Sequence, residues 1–140
     1  MSQAGRPLLV RYDLDGVRRV LPRAALAARP QSLWRYRELL PVRRTENVVS
    51  LGEVVTPLIP LPRLAARLGA RGEILVKDEG RLPTGSFKAR GLALAVSMAK
   101  ELGIGRMAMP SNGNAGAAMA AIARAPALSR WSFVPKTPRR

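Results

Sequence analysis

The chain has 140 residues, 47% of them hydrophobic, and carries 24 lysines and arginines against 9 acids for a net charge of +15. Cysteine and histidine are both absent, which excludes disulfides, thiolate or imidazole metal sites, and Ser-His or Cys-His nucleophile pairs. No apolar run reaches bilayer length and no signal-peptide core opens the chain, so a cytoplasmic, non-membrane protein with one ordinary domain core is expected.

In chain order, Leu8–Tyr12 reads as a short strand, Arg23–Ala28 as a short helix, and Leu33–Leu40 as another helix ended by Pro41. These pieces make an N-terminal segment, residues 1–48. From Leu51 onward, strand and helix alternate. Pro62–Leu68 reads as a helix with Leu61, Leu64 and Leu68 on one face and Pro62 in its first turn. Glu73–Val76 reads as a buried strand. Ser86–Leu102 is a helix with Leu92, Val96 and Ala99 facing inward, stopped by Gly103. Arg106–Met109 is a strand, Asn114–Ala123 an alanine-rich helix, and Trp131–Val134 a last strand. The alternation predicts an α/β fold, a parallel sheet flanked by helices. In such sheets ligands lie beyond the carboxyl ends of the strands.

The positive charge invites a nucleic-acid reading. Its distribution argues against one. Ten arginines face three acids in the first 45 residues, and the motif-bearing middle is far closer to balance. Aromatic residues are only 4% of the chain, too few to interleave as a base-stacking platform. A basic nucleic-acid-binding protein is therefore kept as the least favoured function.

Residues 77–91 read Lys-Asp-Glu-Gly-Arg-Leu-Pro-Thr-Gly-Ser-Phe-Lys-Ala-Arg-Gly. An apolar run ends here, a Pro-Thr-Gly loop follows, and Lys88 falls in the first turn of a helix. The helix dipole is positive at that end and disfavours an ammonium. A neutral amine attacks carbonyl carbon, so the placement suits a lysine that holds an aldehyde cofactor as a Schiff base. Alone, it also suits one more exposed cation. Residues 110–116 read Pro-Ser-Asn-Gly-Asn-Ala-Gly. Small residues there let backbone approach a ligand, and free amides at a helix start bind anions. Asn114 as a simple helix cap is the plainer alternative. Two such loops after neighbouring strands suggest one shared site.

These residues resemble the threonine synthase family of pyridoxal-phosphate enzymes of fold type II. The match is carried by Leu33-Trp-Arg-Tyr-Arg-Glu-Leu-Leu-Pro, Ser50-Leu-Gly-Glu with Thr56-Pro-Leu, Lys77-Asp-Glu-Gly, Pro83-Thr-Gly-Ser-Phe-Lys-Ala-Arg-Gly and Pro110-Ser-Asn-Gly-Asn-Ala-Gly. The Ser-Phe-Lys element also occurs in threonine dehydratase. The resemblance implies the cofactor pyridoxal 5'-phosphate, with Lys88 as its Schiff-base residue and catalytic base. It implies Asn114 as the partner of the cofactor's ring hydroxyl. Ser111, Asn112, Gly113, Asn114 and Ala115 become the substrate-binding loop, and no metal is implied. The expected activity is lyase chemistry that converts O-phosphohomoserine and water to threonine and phosphate.

The same resemblance implies a partial PLP-binding α/β region over residues 49–140, an incomplete large domain. The zinc ribbon that often precedes Pro7-Leu-Leu-Val-Arg-Tyr-Asp in relatives is not in the sequence, nor is the family's Gly-rich phosphate loop. A threonine dehydratase-like enzyme and a non-catalytic fragment stay as alternatives. A homodimer, or association with a C-terminal portion, is left open as partner. Val54 and Val55 stand where the family usually has glycine, and Leu82 where it usually has asparagine.

Overall fold

A computed structural model of the protein describes residues 3–7, 9–111, 113–124 and 130–135. Asp13 accepts a hydrogen bond from the Gly16 amide at 2.8 Å and starts helix α1, Leu14–Val20. This helix is absent from the sequence-based reading. The strand expected over Leu8–Tyr12 does not form: residues 9–12 have no regular structure, Leu9 and Val10 are exposed, and Leu8 lies outside the described residues. An apolar stretch with no neighbouring strand has nothing to pair with, and the Asp13 cap takes the chain into a helix instead.

Helix α2 spans Arg23–Ala28, as expected. Leu33–Leu39 is a 3-10 helix with a kink at Tyr36 rather than an α-helix. Side chains override the regular ladder here. Arg29 donates to both oxygens of Glu38, at 2.7 and 2.6 Å, and to the Arg35 carbonyl at 2.7 Å. Arg35 returns to the Leu26 carbonyl at 2.6 Å. The Arg29 guanidinium holds the Glu38 carboxyl down to about 2. The segment then docks on the following stretch through Leu33 N–H to Glu53 O at 3.0 Å and Val55 N–H to Gln31 O at 3.3 Å.

Strand β1, Leu58–Pro60, pairs antiparallel with β2, Leu75–Lys77, and helix α3, Pro62–Arg67, lies between them in the chain. Strand β3, Arg106–Ser111, pairs parallel with β4, Arg130–Pro135. The described residues thus form an α/β arrangement with two separate two-stranded sheets, of which one is parallel. The expected parallel pairing is thus found in β3–β4, whereas β1–β2 is antiparallel and separate from it. The apolar run before Lys77 fits a strand covered on both faces. In the structure, Leu75 and Val76 are exposed in a short ladder. Periodicity identified a strand but not the direction of its partner. The expected apolar face of α3 is also uncovered, with Leu64 and Leu68 exposed.

Helix α4 runs Lys88–Glu101 and helix α5 runs Asn114–Ala123. Gly103, at φ 68, supplies the left-handed residue that ends α4. The core gathers Val49, Ala93, Val96 and Ile122, with Leu33, Leu92 and Met107 packed against it. Ala89, Ala93 and Ala118 are fully buried. With only a methyl group at those positions, α4 and α5 approach closely. No helix among the described residues is long and apolar enough to cross a membrane.

Candidate functional site

Lys88 is the first residue of α4. The loop before it is built by a chain of turns. Asp78 accepts from the Gly80 amide at 3.2 Å and opens a 3-10 turn, Glu79–Arg81. Leu82 N–H then reaches the Glu79 carbonyl at 3.3 Å, and Gly85 N–H reaches the Leu82 carbonyl at 2.8 Å. Gly85 has φ 68, a conformation that L side chains resist, so the loop needs glycine there. Leu82 is buried and serves as packing beneath the loop. Lys88 is half-buried, and its Nζ sits 4.8 Å from the centroid of the exposed Phe87 ring, a cation–π contact.

The second loop joins β3 to α5. Ser111 ends β3 and is buried. Its hydroxyl accepts from Gly116 N–H at 2.9 Å and Gly113 N–H at 3.3 Å, and lies 3.3 Å from the Gly113 carbonyl. Ser111 therefore does the capping that was the plainer alternative for Asn114. Gly113 is the residue before the helix, and Asn114, exposed, is the first residue inside it. Ala115 is half-buried on the same turn, and Asn112 lies outside the described residues. A side chain at Gly113 would meet nothing within 4 Å, so space stays open beside this loop.

Topology sets the two loops relative to one another. The end of α4 feeds β3, and the end of β3 feeds α5. At about 1.5 Å rise per helical residue and about 3.3 Å per strand residue, α4 and β3 are each roughly 20 Å long. An extended β3 carries the chain that distance before α5 begins. Helix α5 packs on α4, with Ile122 and Val96 in one cluster about two turns beyond Asn114 and Lys88. The start of α5 accordingly falls toward the start of α4.

Behind the Lys88 loop lies an ion-pair network that sequence reasoning missed. Arg90 donates from Nε to Glu79 Oε2 at 2.8 Å, and from Nη2 to Glu79 Oε1 at 3.1 Å and to the Val54 carbonyl at 2.8 Å. The Thr56 hydroxyl donates to the same Glu79 carboxylate, and Lys77 Nζ donates to the Thr56 carbonyl at 2.5 Å. Arg90 and then Thr56 hold Glu79 down to about 2, while Glu79 raises Arg90. Glu53, at 0% exposure, accepts from the Ser50 hydroxyl at 2.5 Å and from Leu51 N–H at 3.0 Å, closing its own turn. The clue in sequence was the recurrence of acid and base residues beside each motif. Separations of 11 and 23 residues gave no way to pair them.

Two buried hydroxyl oxygens in the Lys88 loop, Thr84 Oγ1 and Ser86 Oγ, have no hydrogen-bond partner among the described residues. Buried polar groups are ordinarily paired. These hydroxyls, four and two residues before Lys88, leave hydrogen-bonding capacity open in this loop. No group of three or more metal-ligating side chains occurs among the described residues.

The chain belongs to the pyridoxal-phosphate dependent enzymes, whose family model matches residues 49–137. Within that class it is similar to threonine synthases. It is 44% identical to the one from Synechocystis sp. over 124 residues, covering 83% of this chain and 32% of that protein. To the Methanocaldococcus jannaschii threonine synthase it is 40% identical over 119 residues, covering 85% of this chain and 29% of the relative. To that of Halalkalibacterium halodurans it is 46% identical over 95 residues, 64% of this chain and 26% of the relative. The chain thus spans only 26–32% of the length of these relatives.

Proposed function

We propose that the chain carries the lysine-bearing part of a threonine synthase-like lyase that uses pyridoxal 5'-phosphate to turn O-phosphohomoserine and water into threonine and phosphate. The observation that carries this is Lys88 at the first position of α4, behind a loop with two unpaired buried hydroxyls. Identity to threonine synthases across most of the chain supports the substrate.

When bound, pyridoxal phosphate supplies the aldehyde that an amine can capture and a ring that accepts the charge left by a lost proton. Lys88 Nζ would hold it, and as a free amine would serve as the general base for the substrate's α-proton. Asn114 would help to hold the cofactor. Ser111, Asn112, Gly113, Asn114 and Ala115 present donors to the substrate carboxylate, with the start of α5 favouring an anion. Thr84 and Ser86 supply further donors on the Lys88 side. We place the enzyme in the cytoplasm.

The test is to join the chain to the downstream part of the Synechocystis relative and assay phosphate release from O-phosphohomoserine. Release that disappears in Lys88→Ala supports the proposal. Ammonia release from threonine instead would move the chain to the dehydratase alternative. Activity that survives Lys88→Ala would overturn the reading.

A further inference from the structure

Arg90 follows Lys88 by two positions on α4. At about 100° per residue the two side chains leave the helix on roughly opposite sides. Arg90 therefore does not share the space in which Lys88 reacts. Its guanidinium instead grips Glu79 with two hydrogen bonds and the Val54 carbonyl with a third. Both side chains of the ion pair are about one-quarter exposed, at 25% and 23%, so solvent screens them less than a surface pair. Glu79 also takes the hydroxyl of Thr56, a residue only 3% exposed.

We infer that Arg90 and Glu79 are positioning residues for Lys88: a two-pronged clamp that fixes the first turn of α4 against the 79–81 turn and the extended stretch 54–56. The inference rests on the reading of Lys88 as the cofactor-bearing amine. A single bond would let the helix start swivel. A planar fork on a carboxylate sets an orientation as well as a distance. Three stretches far apart in the chain, Val54–Thr56, Glu79 and Arg90, meet on this one carboxylate. Glu79 is held well below the usual carboxylate range and so stays ionised throughout neutral and mildly acidic solution. Across that range the clamp keeps its charge. The contrast within the chain is Arg29 and Glu38, an ion pair of the same two-pronged form on the N-terminal segment. It orders residues 26–38 and touches neither loop.

The 140-residue chain itself provides the test, because its lysines are internal standards. An amine and an aldehyde condense to an imine with loss of water, and borohydride delivers hydride to fix the product as a secondary amine. The chain is treated with pyridoxal phosphate and borohydride, and adducts on Lys88, Lys77 and Lys100 are measured by peptide mass spectrometry. The parent chain should favour Lys88. Arg90→Lys keeps the charge but loses the fork, and Glu79→Gln keeps the shape but loses the charge. Each should cut the Lys88 to Lys100 adduct ratio about tenfold, the loss expected for one charge-assisted hydrogen bond. Arg29→Lys should lower the melting temperature without moving the ratio, which separates positioning from plain stability. An unchanged ratio in both folded clamp variants, with Lys88 still favoured in the parent, would overturn the clamp and leave the Lys88 reading intact. No preference for Lys88 in the parent chain would overturn that reading, and the clamp with it.

Discussion

Ser97 and Val49 are tied together inside the core. The Val49 amide donates to Ser97 Oγ at 2.8 Å, and the same hydroxyl donates back to the Ala93 carbonyl, one helical turn earlier, at 2.7 Å. Ser97 is fully buried and Val49 nearly so. A serine in mid-helix is usually a weak choice, since it competes with the backbone. Here it satisfies the amide of a neighbouring segment that lacks a sheet partner. Ser97→Ala should leave Val49 N–H buried and unpaired, at about 1–3 kcal/mol. A urea melt gives the number. A loss below about 0.5 kcal/mol would mean that water or backbone adjustment replaces the hydroxyl.

Acid should loosen the fold in two places at once. Glu38 and Glu79 both sit at about 2 in the folded chain, against an ordinary value of 4.5, because Arg29 and Arg90 grip their carboxylates. A depressed carboxyl stabilises the fold fully above its unfolded value and loses that contribution as pH falls through the folded one. Melting temperature should therefore be flat above about pH 5 and fall between about 4.5 and 2. Glu79→Gln should reduce the slope in that window and leave the Glu38 share in place. An equal slope in the variant would show that Glu79 is ordinary in the folded state.

Two glycines should respond in opposite directions to alanine. Gly85 stands at φ 68 before Ser86, and an added methyl group would touch nothing within 4 Å. The cost of Gly85→Ala is then backbone strain alone, about 1–2 kcal/mol. Gly91 lies inside α4, also with open space around it. Gly91→Ala should stabilise by about 0.5–1 kcal/mol, through better helix propensity. Paired thermal melts distinguish a helical glycine from a left-handed one.

These residues also show what was readable in the sequence. The position of Lys88 at a helix start was readable because a Pro-Thr-Gly loop and a helical pattern meet there. Helices α4 and α5 were readable from length, alanine content and the glycines that bound them. Contacts between distant positions were not. Nothing near Arg90 announces Glu79, and nothing near Ser97 announces Val49, because side-chain pairing across tens of residues leaves no periodic trace. Strand β1 was not read from the sequence, and β2 was read as a strand with shifted bounds and no direction of pairing. Three residues carry too little pattern to fix either their boundaries or the direction of pairing. In the second loop, the distinction between Ser111 and Asn114 as cap depends on a difference of a few residues in where the helix begins.

Association should be governed by salt. Leu58, Leu64, Leu68, Leu75 and Val76 are exposed, and all belong to β1, α3, β2 or their flanks. Apolar side chains collected on one short supersecondary unit favour self-contact, and two-stranded ladders present backbone groups that can pair further. Opposing this is the net charge of +15. At physiological ionic strength its repulsion is screened beyond about 8 Å. Light scattering on the 140-residue chain should rise from low to high salt. Replacing Leu75 with lysine, on the exposed strand β2, should blunt the rise without altering the α4–α5 core. A chain that stays monomeric at every salt concentration would show that these side chains form no adhesive surface.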